Sequence, residues 1–130
     1  MRLEKKDIET LLPFGIALLS KKGNLSVKNM RYLLENDALG INAGLLYAGL
    51  PVNVEVYLQC FVKAGAIGFQ FKESRIDSLL MKGDLLTFLK PLIKGHSYLC
   101  IEDDVLYFYH PKLVVETFNI TSSSIQLTFK

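Results

Sequence analysis

The pattern that most constrains the fold lies in residues 52–62, where apolar and polar side chains alternate. The apolar positions are Val52, Val54, Val56, Leu58, Cys60 and Val62. A period of two is typical of a strand that buries one face. A turn at Ala64–Gly65 would return the chain as a second strand over residues 66–72. The pairs created by this turn are Leu58–Phe71, Cys60–Phe69 and Val62–Ile67, with Phe61–Gly68 and Gln59–Gln70 on the other face. Because each apolar residue of the first set meets an apolar partner, we predict an antiparallel hairpin.

The same stretch also fits a helix, with Asn53 as its N-cap and Gly65 as its C-terminal cap. The positions that carry this second interpretation are Val54, Leu58, Phe61, Gly65 and Ile67. Their spacing resembles the third helix and first wing strand of winged-helix domains, over residues 14–72 at most. The resemblance implies nucleic-acid binding, but the outward positions Glu55, Gln59 and Lys63 form a nearly neutral face that matches DNA poorly. The valines, Tyr57 and Phe61 favour the strand.

The N-terminal third has the apolar spacing of helices. One face of residues 4–21 carries Ile8, Leu11, Leu12, Ile16 and Leu19. Pro13 interrupts this face and predicts a kink or a split, and the cations and glycine of residues 21–23 suit a helix end. Ser26 would cap a second helix over residues 27–38, whose apolar side carries Val27, Met30, Leu33 and Leu34. Residues 39–50 fit either a short helix capped by Asn42 or a buried loop.

Residues 74–94 return to helical character, in two groups that Gly83 separates. The first group contains Ile76, Leu79 and Leu80, and the second, capped by Asp84, contains Leu85, Phe88, Leu89 and Leu92. From residue 97 onward the sequence predicts four strands, over residues 97–102, 105–110, 113–118 and 124–129. A turn at Asp103–Asp104 would pair Ile101 with Leu106 and Leu99 with Phe108.

These elements together predict one α+β domain over residues 1–130. N-terminal helices would pack on one face of a mainly antiparallel β-sheet whose strands are concentrated toward the C-terminus. The chain has the length of an ordinary single domain. Half of its residues are hydrophobic and 22% are charged, so it can bury a sizeable core.

The chain shows no sign of a secretory or membrane protein. Residues 1–7 are charged, and no signal-type cleavage pattern follows them. The least polar stretch, residues 39–52, is shorter than the about 20 apolar residues that cross a bilayer. We therefore expect a cytoplasmic protein without membrane contact. Cys60 and Cys100 lie in apolar strand-like runs, so we expect both to be buried free thiols.

The polar residues form no catalytic constellation. His96 and His110 are predicted to lie near each other at one end of the 97–110 hairpin, whereas the acidic residues 102–104 lie at its other end. Cys100 is predicted to face away from His110, which argues against a Cys-His nucleophile. No phosphate-binding glycine motif is present. We therefore expect no enzyme, no cofactor and no metal ion.

The high apolar content and one tyrosine-rich face indicate a binding surface. Tyr98, Tyr107 and Tyr109 would form the partner-binding set, because tyrosine offers a wide contact area and a polar tip. We predict a non-enzymatic protein-interaction module, an accessory or assembly subunit that self-associates as a homo-oligomer. The alternative is a winged-helix-type nucleic-acid-binding domain, which the net charge of +2 does not favour.

Overall fold

The computed structural model describes residues 1–20, 22–78 and 82–130. The elements of this described part are, in chain order, β1 (Arg2–Glu4), α1 (Lys5–Ala17), β2 (Leu25–Glu35), β3 (Ala38–Tyr47), β4 (Leu50–Lys63), β5 (Ala66–Ser78), β6 (Lys82–Gly83), α2 (Leu85–Ile93), β7 (Leu99–Glu102), β8 (Val105–Phe108), β9 (Val115–Ile120) and β10 (Ser124–Phe129). The strands pair in an antiparallel manner in two sheets.

The larger sheet has seven strands, in the order β2-β3-β4-β5-β8-β7 with β6 paired to β5. Tight turns connect several of its successive strands. Ala48–Gly49 and Ala64–Gly65 have positive φ at both positions, 50° and 82° in the first turn and 51° and 81° in the second. Asp103–Asp104 repeats this geometry between β7 and β8, with 49° and 62°. Two successive positive φ angles give the type I′ turn, whose twist matches that of the paired strands.

The hairpin predicted over residues 52–62 and 66–72 is confirmed as β4 and β5, in the predicted register from Leu58–Phe71 to Val62–Ile67. The register shifts by one residue next to Leu58, where a β-bulge increases the local twist. The helical interpretation of the segment is therefore wrong, because its apolar side chains meet their partners across a sheet. The winged-helix resemblance needs a helix at this position, so it does not describe this fold.

The second helix predicted over residues 27–38 is wrong, since Leu25–Glu35 form strand β2. The ladder between β2 and β3 skips Lys28. This bulge places Val27 and Met30 on the same face, three residues apart, and the spacing imitates one helical turn. Pairing across the sheet, not local propensity, therefore decides the conformation of this segment.

Residues 39–50 form neither a short helix nor a buried loop, because Ala38–Tyr47 is strand β3. Its glycines permit close approach between strands. The Oδ1 atom of Asn29 accepts a hydrogen bond from the N–H group of Gly44 at 3.1 Å. A Cβ atom at Gly44 would lie 2.9 Å from that side chain. The glycine therefore makes room for the amide that completes the bulged ladder.

The prediction for residues 74–94 is half right. Strand β5 extends through the first helical group, where Ile76 is a buried strand residue. Residues 79–80 of that group lie outside the described residues. The second group is confirmed as α2, Leu85–Ile93, and the carboxylate of Asp84 caps it by accepting a hydrogen bond from the backbone of the first turn at 3.2 Å.

The C-terminal strands are confirmed, with ends that differ by a few residues from the predicted ones. Strands β7 and β8 pair Ile101 with Leu106 and Leu99 with Phe108, as predicted. Strands β9 and β10 form the smaller sheet together with β1, in the order β1-β10-β9. Strands already begin in the N-terminal third of the chain, because β2 and β3 replace the second predicted helix.

The smaller sheet and the two helices contact one face of the larger sheet, which we call the inner face. Phe118 of β9 meets Phe69 of β5 edge to face, with ring centroids 6.3 Å apart. The N–H group of Asp37 donates to the carbonyl of Ile120 at 2.9 Å and joins the two sheets. The N-terminal helix is confirmed as α1, and it continues through Pro13 instead of splitting there. The coarse class, α+β with a mostly antiparallel sheet, is confirmed.

The opposite face of the larger sheet, the outer face, carries charged and polar side chains. Arg75 and Glu55 form an ion pair across β5 and β4, with 2.9 Å between Nη2 and Oε2. The hydroxyl of Tyr57 donates to Glu35 at 3.2 Å. The outer face therefore differs from the inner face, whose groove is lined mainly by apolar side chains.

Within the described residues, neither helix is long and apolar enough to cross a lipid bilayer.

Candidate functional site

An apolar groove of about 590 Å³ lies between the two helices and the inner face of the larger sheet. Its lining is aliphatic or aromatic almost throughout. Among the described residues that line it, His96 and Tyr98 are the ones with a polar group on the side chain. The groove is therefore a concave surface with a uniformly apolar character.

The floor of the groove is made by alternate side chains of the larger sheet. Successive residues of a strand point to opposite faces, so the inner-face residues of neighbouring strands stand side by side. Ile41 pairs with Val56, and Leu99 pairs with Phe108; all four line the groove. The alternation that predicts the hairpin therefore also creates a continuous apolar floor.

Helix α1 and the residues after it form one wall. Leu12, Ile16 and Leu19 are half-buried and line the groove. Leu11 and Leu18 line its opening and remain 47% and 55% exposed. The wall is therefore apolar both inside the groove and at its rim.

Gly15 lies on the same wall and leaves space beside the groove. A Cβ atom built on it would have no neighbour within 4 Å. Glycine in a helix interior is unfavourable by roughly 0.5–1 kcal/mol relative to alanine. Gly15 therefore lowers the stability of the helix, although the described structure has room for a side chain at this position.

Helix α2 forms the second wall and is anchored more firmly than α1. Leu85, Phe88 and Leu89 are buried and also line the groove. The ring of Phe88 meets Tyr47 of β3 edge to face, with centroids 5.3 Å apart. In α1, by comparison, Ile8 is the buried residue. The groove thus lies between a well-packed helix and a partly exposed one.

The polar end of the groove is formed by the segment between α2 and β7. The backbone N–H group of Tyr98 donates to Nδ1 of His96 at 3.1 Å. Since Nδ1 accepts this bond, the neutral ring carries its proton on Nε2. His96 therefore presents an N–H donor on the side away from its own backbone.

His110, which follows the C-terminus of β8, lies at the same end of the groove. Its ring lies 4.6 Å from that of Tyr98, centroid to centroid, and its Nδ1 accepts a hydrogen bond from the backbone of Lys112 at 3.0 Å. The ring of His96 lies 6.2 Å from Tyr98. The two histidines are near each other, as predicted, and both contact Tyr98.

The three tyrosines predicted to bind a partner do not share one surface. Tyr98 lines the groove. Tyr107 meets Phe61 edge to face, with centroids 6.1 Å apart, on the outer face where the Phe61 ring covers Gly68. Tyr109 is exposed. The backbone pairing of the hairpin reaches Tyr98, whose carbonyl accepts a hydrogen bond from Tyr109, yet Tyr98 is among the residues that line the groove.

The two cysteines are free, as predicted, but differ in exposure. Cys60 is buried, and desolvation, together with the nearby charge of Asp37, raises its pKa to about 12. Cys100 is exposed, so its predicted burial is wrong. Partial desolvation first, and the Glu102 charge second, raise the Cys100 pKa as well. Both environments disfavour the thiolate that a nucleophile requires.

No group of three histidine, cysteine or acidic side chains within the described residues could hold a metal ion. The acidic residues 102–104 lie at the turn of the β7–β8 hairpin, at the other end from the histidines. The candidate site of this chain is therefore the groove with its polar end.

Sequence reasoning misses this groove because its lining comes from many separate helices, strands and connecting segments, which no local pattern relates. The one local signal is the breadth of the apolar face of α1. Leu11, Leu12, Ile16 and Leu19 cover more of that helix than a single buried seam needs.

Comparison with known proteins finds no match: no protein-family model, no curated protein and no solved structure matches this chain. The groove itself is therefore the basis for a functional proposal.

Proposed function

We propose that the protein is a non-enzymatic binding protein that takes a hydrocarbon ligand into the groove between α1, α2 and the larger sheet. The observation that carries this proposal is the lining, which is apolar except for His96 and Tyr98 at one end. The volume of about 590 Å³ falls within the range of small-molecule sites, roughly 300–1,000 Å³.

The physical basis is the transfer of apolar surface out of water on both sides of the contact. Each methylene group of a ligand that leaves water contributes about 0.8 kcal/mol. The exposed side chains of Leu11 and Leu18 at the rim of the groove leave water at the same time. A ligand without apolar length gains little here, since the walls of the groove have few groups to which it could hydrogen-bond.

The test is the binding of a neutral apolar fluorophore, phenylnaphthylamine, which emits strongly in apolar surroundings. We expect saturable binding by the wild type. Gly15→Leu adds a side chain on the groove wall and should weaken binding at least tenfold. Thr10→Leu adds the same side chain to α1 at a residue that does not line the groove, and should leave binding unchanged. Absence of binding by the wild type would contradict the proposal.

As a second proposal, we infer that the protein self-associates, as predicted from the sequence, but through the rim of α1 and not through the predicted set Tyr98, Tyr107 and Tyr109. Leu11, Phe14 and Leu18 follow one another at helical spacing and are 47%, 62% and 55% exposed. A contiguous exposed apolar row on a soluble surface is typical of an interaction site. Tyr107 and Tyr109 remain candidates for contact on other surfaces of the molecule.

Sedimentation velocity can test the role of this rim with a matched pair of variants. Leu18→Ser removes an apolar side chain that is 55% exposed at the end of α1, and Leu33→Ser removes one that is 57% exposed on the outer face. We expect a concentration-dependent dimer in the wild type and in Leu33→Ser, and a weaker one in Leu18→Ser. A wild type that stays monomeric at high concentration ends this second proposal.

A further inference from the structure

We propose that the ligand of the groove is a long-chain fatty acid, whose carboxylate is held by His96 and Tyr98 while its hydrocarbon chain lies along the apolar floor. This inference rests on the proposed function and adds the chemical class of the ligand. It depends on the position of the two polar side chains of the lining, which lie in one segment between α2 and β7.

The donors at this end are oriented before any ligand arrives. His96 has its Nδ1 occupied by the N–H group of Tyr98 at 3.1 Å, which leaves Nε2–H as the donor. The backbone of His96 is itself held, because its N–H group donates to the carbonyl of Ile93 at 2.8 Å at the end of α2. The donor is therefore positioned by the end of a buried helix.

The ring of Tyr98 is positioned in a similar way. The carbonyl of Tyr98 accepts a hydrogen bond from the N–H group of Tyr109 at 3.0 Å, which continues the pairing of β7 and β8. His110 lies against the ring, with centroids 4.6 Å apart. Tyr98 is 41% exposed, and its hydroxyl has no hydrogen-bond partner among the described residues.

Two lysines are close in sequence to the two histidines: Lys94 precedes His96 by two residues, and Lys112 follows His110 by two. The acidic residues 102–104 lie at the opposite end of the β7–β8 hairpin. Because this end is partly exposed, a carboxylate bound here keeps part of its hydration, and burial costs it little. An apolar tail beside two hydrogen-bond donors matches a single-chain amphiphile with an anionic head.

The experiment compares three competitors of equal chain length for displacement of bound phenylnaphthylamine from the full chain: palmitate, hexadecanol and methyl palmitate. Hydrogen bonds to an ionised group are worth more than those to a neutral oxygen, so we expect palmitate to compete about tenfold better than the other two. His96→Leu and Tyr98→Phe should each reduce this preference. His96→Gln keeps a donor near the Nε2 position and should restore part of it.

The outcomes separate this inference from the proposed function. If the three competitors displace the probe equally well in the wild type, the groove binds hydrocarbon chains without discriminating between head groups. The inference is then wrong, and the proposed function stands. If the probe itself does not bind, both are wrong. If the preference for palmitate persists unchanged in His96→Leu and in Tyr98→Phe, the carboxylate is held elsewhere and the inference is wrong.

Discussion

Whether a residue of this protein can be substituted without loss of stability depends on its backbone φ angle and on the free space around it. Two glycines differ in both respects. Gly15 lies inside α1, and a Cβ atom added there would have nothing within 4 Å. Gly65 has a φ of +81°, and a Cβ atom there would lie 2.7 Å from Cγ1 of Val114. The same substitution should therefore have opposite effects at the two sites.

We expect Gly15→Ala to raise the free energy of unfolding by about 0.5–1 kcal/mol, because alanine loses less backbone entropy in a helix. Gly65→Ala should lower it by more than about 1 kcal/mol, since alanine disfavours positive φ and meets Val114. Urea denaturation of the two variants and the wild type measures both effects. Equal shifts in the two variants would contradict the assignment of the β4–β5 turn.

The two cysteines should differ in chemical accessibility. Iodoacetamide at neutral pH should label Cys100 slowly and leave Cys60 unmodified in the folded protein, because Cys60 is buried and holds its proton to a pKa of about 12. Cys100→Ser should abolish labelling under native conditions. In urea both thiols of the wild type should react. Native labelling of Cys60, detected by mass spectrometry, would contradict the packing of β4.

The raised pKa of Cys60 also predicts a loss of stability in alkali. The ordinary thiol value is 9.0 and the folded value is about 12, so the folded state binds this proton more tightly than the unfolded state. The contribution is complete below about pH 9 and is lost as the pH rises toward 12. Cys60→Ala should lower the free energy of unfolding at neutral pH. Above about pH 9, the free energy of unfolding of this variant should fall less steeply with pH than that of the wild type, and the two slopes should differ by up to about 1.4 kcal/mol per pH unit. Urea denaturation of both proteins across this range measures the difference, and parallel declines would contradict it.

At the scale of elements, α2 is attached to the larger sheet through its N-terminus as well as its apolar face. The Oδ1 atom of Asp84 accepts hydrogen bonds from the backbone N–H group of Leu86 at 3.2 Å and from the hydroxyl of Ser74 on β5 at 2.6 Å. One carboxylate therefore begins the helix and ties it to the neighbouring strand. The wall of the groove that α2 forms depends on this contact.

We expect Asp84→Ala to lower the free energy of unfolding by about 1 kcal/mol, the usual cost of losing an N-cap. Asp84→Asn keeps an acceptor for the first turn and should cost less. Thermal unfolding followed by circular dichroism compares the three proteins. If Asp84→Asn and Asp84→Ala are equally destabilised, the carboxylate contributes by some route other than the cap.

At the scale of the whole molecule, the two faces of the larger sheet differ in the side chains that they carry. The inner face, with the helices, contains the groove, and the outer face carries the Arg75–Glu55 ion pair. Positive and negative charges are interspersed there, and the net charge of the chain is +2. Such a surface gives no extended basic patch for a phosphate backbone within the described residues.

Binding to generic duplex DNA should consequently be weak. We expect no saturation of the fluorescence anisotropy of a labelled duplex at about 10 μM protein and physiological salt. Repeating the titration at low salt provides the control, since any residual electrostatic binding should strengthen there. Tight binding with a steep dependence on salt would restore nucleic acid as the leading partner.

The sequence by itself determines the parts of this fold that local patterns encode. Alternation in β4, followed by a two-residue turn, predicts the register from Leu58–Phe71 to Val62–Ile67, and the structure has that register between the turn and the β-bulge. The β7–β8 hairpin and the Asp84 cap follow from equally local rules. These features can be predicted because a turn or a helix cap involves only residues that are close together in the chain.

Tertiary structure decided the rest. The bulge at Lys28 makes a strand imitate a helix, and pairing with β3 outweighs that local spacing. The groove depends on the distance between α1 and α2 over a shared sheet, which no sequence pattern specifies. Tyr98, predicted to share a face with Tyr107 and Tyr109, lines the groove instead. Side chains that lie far apart in sequence meet there only because packing brings their elements together.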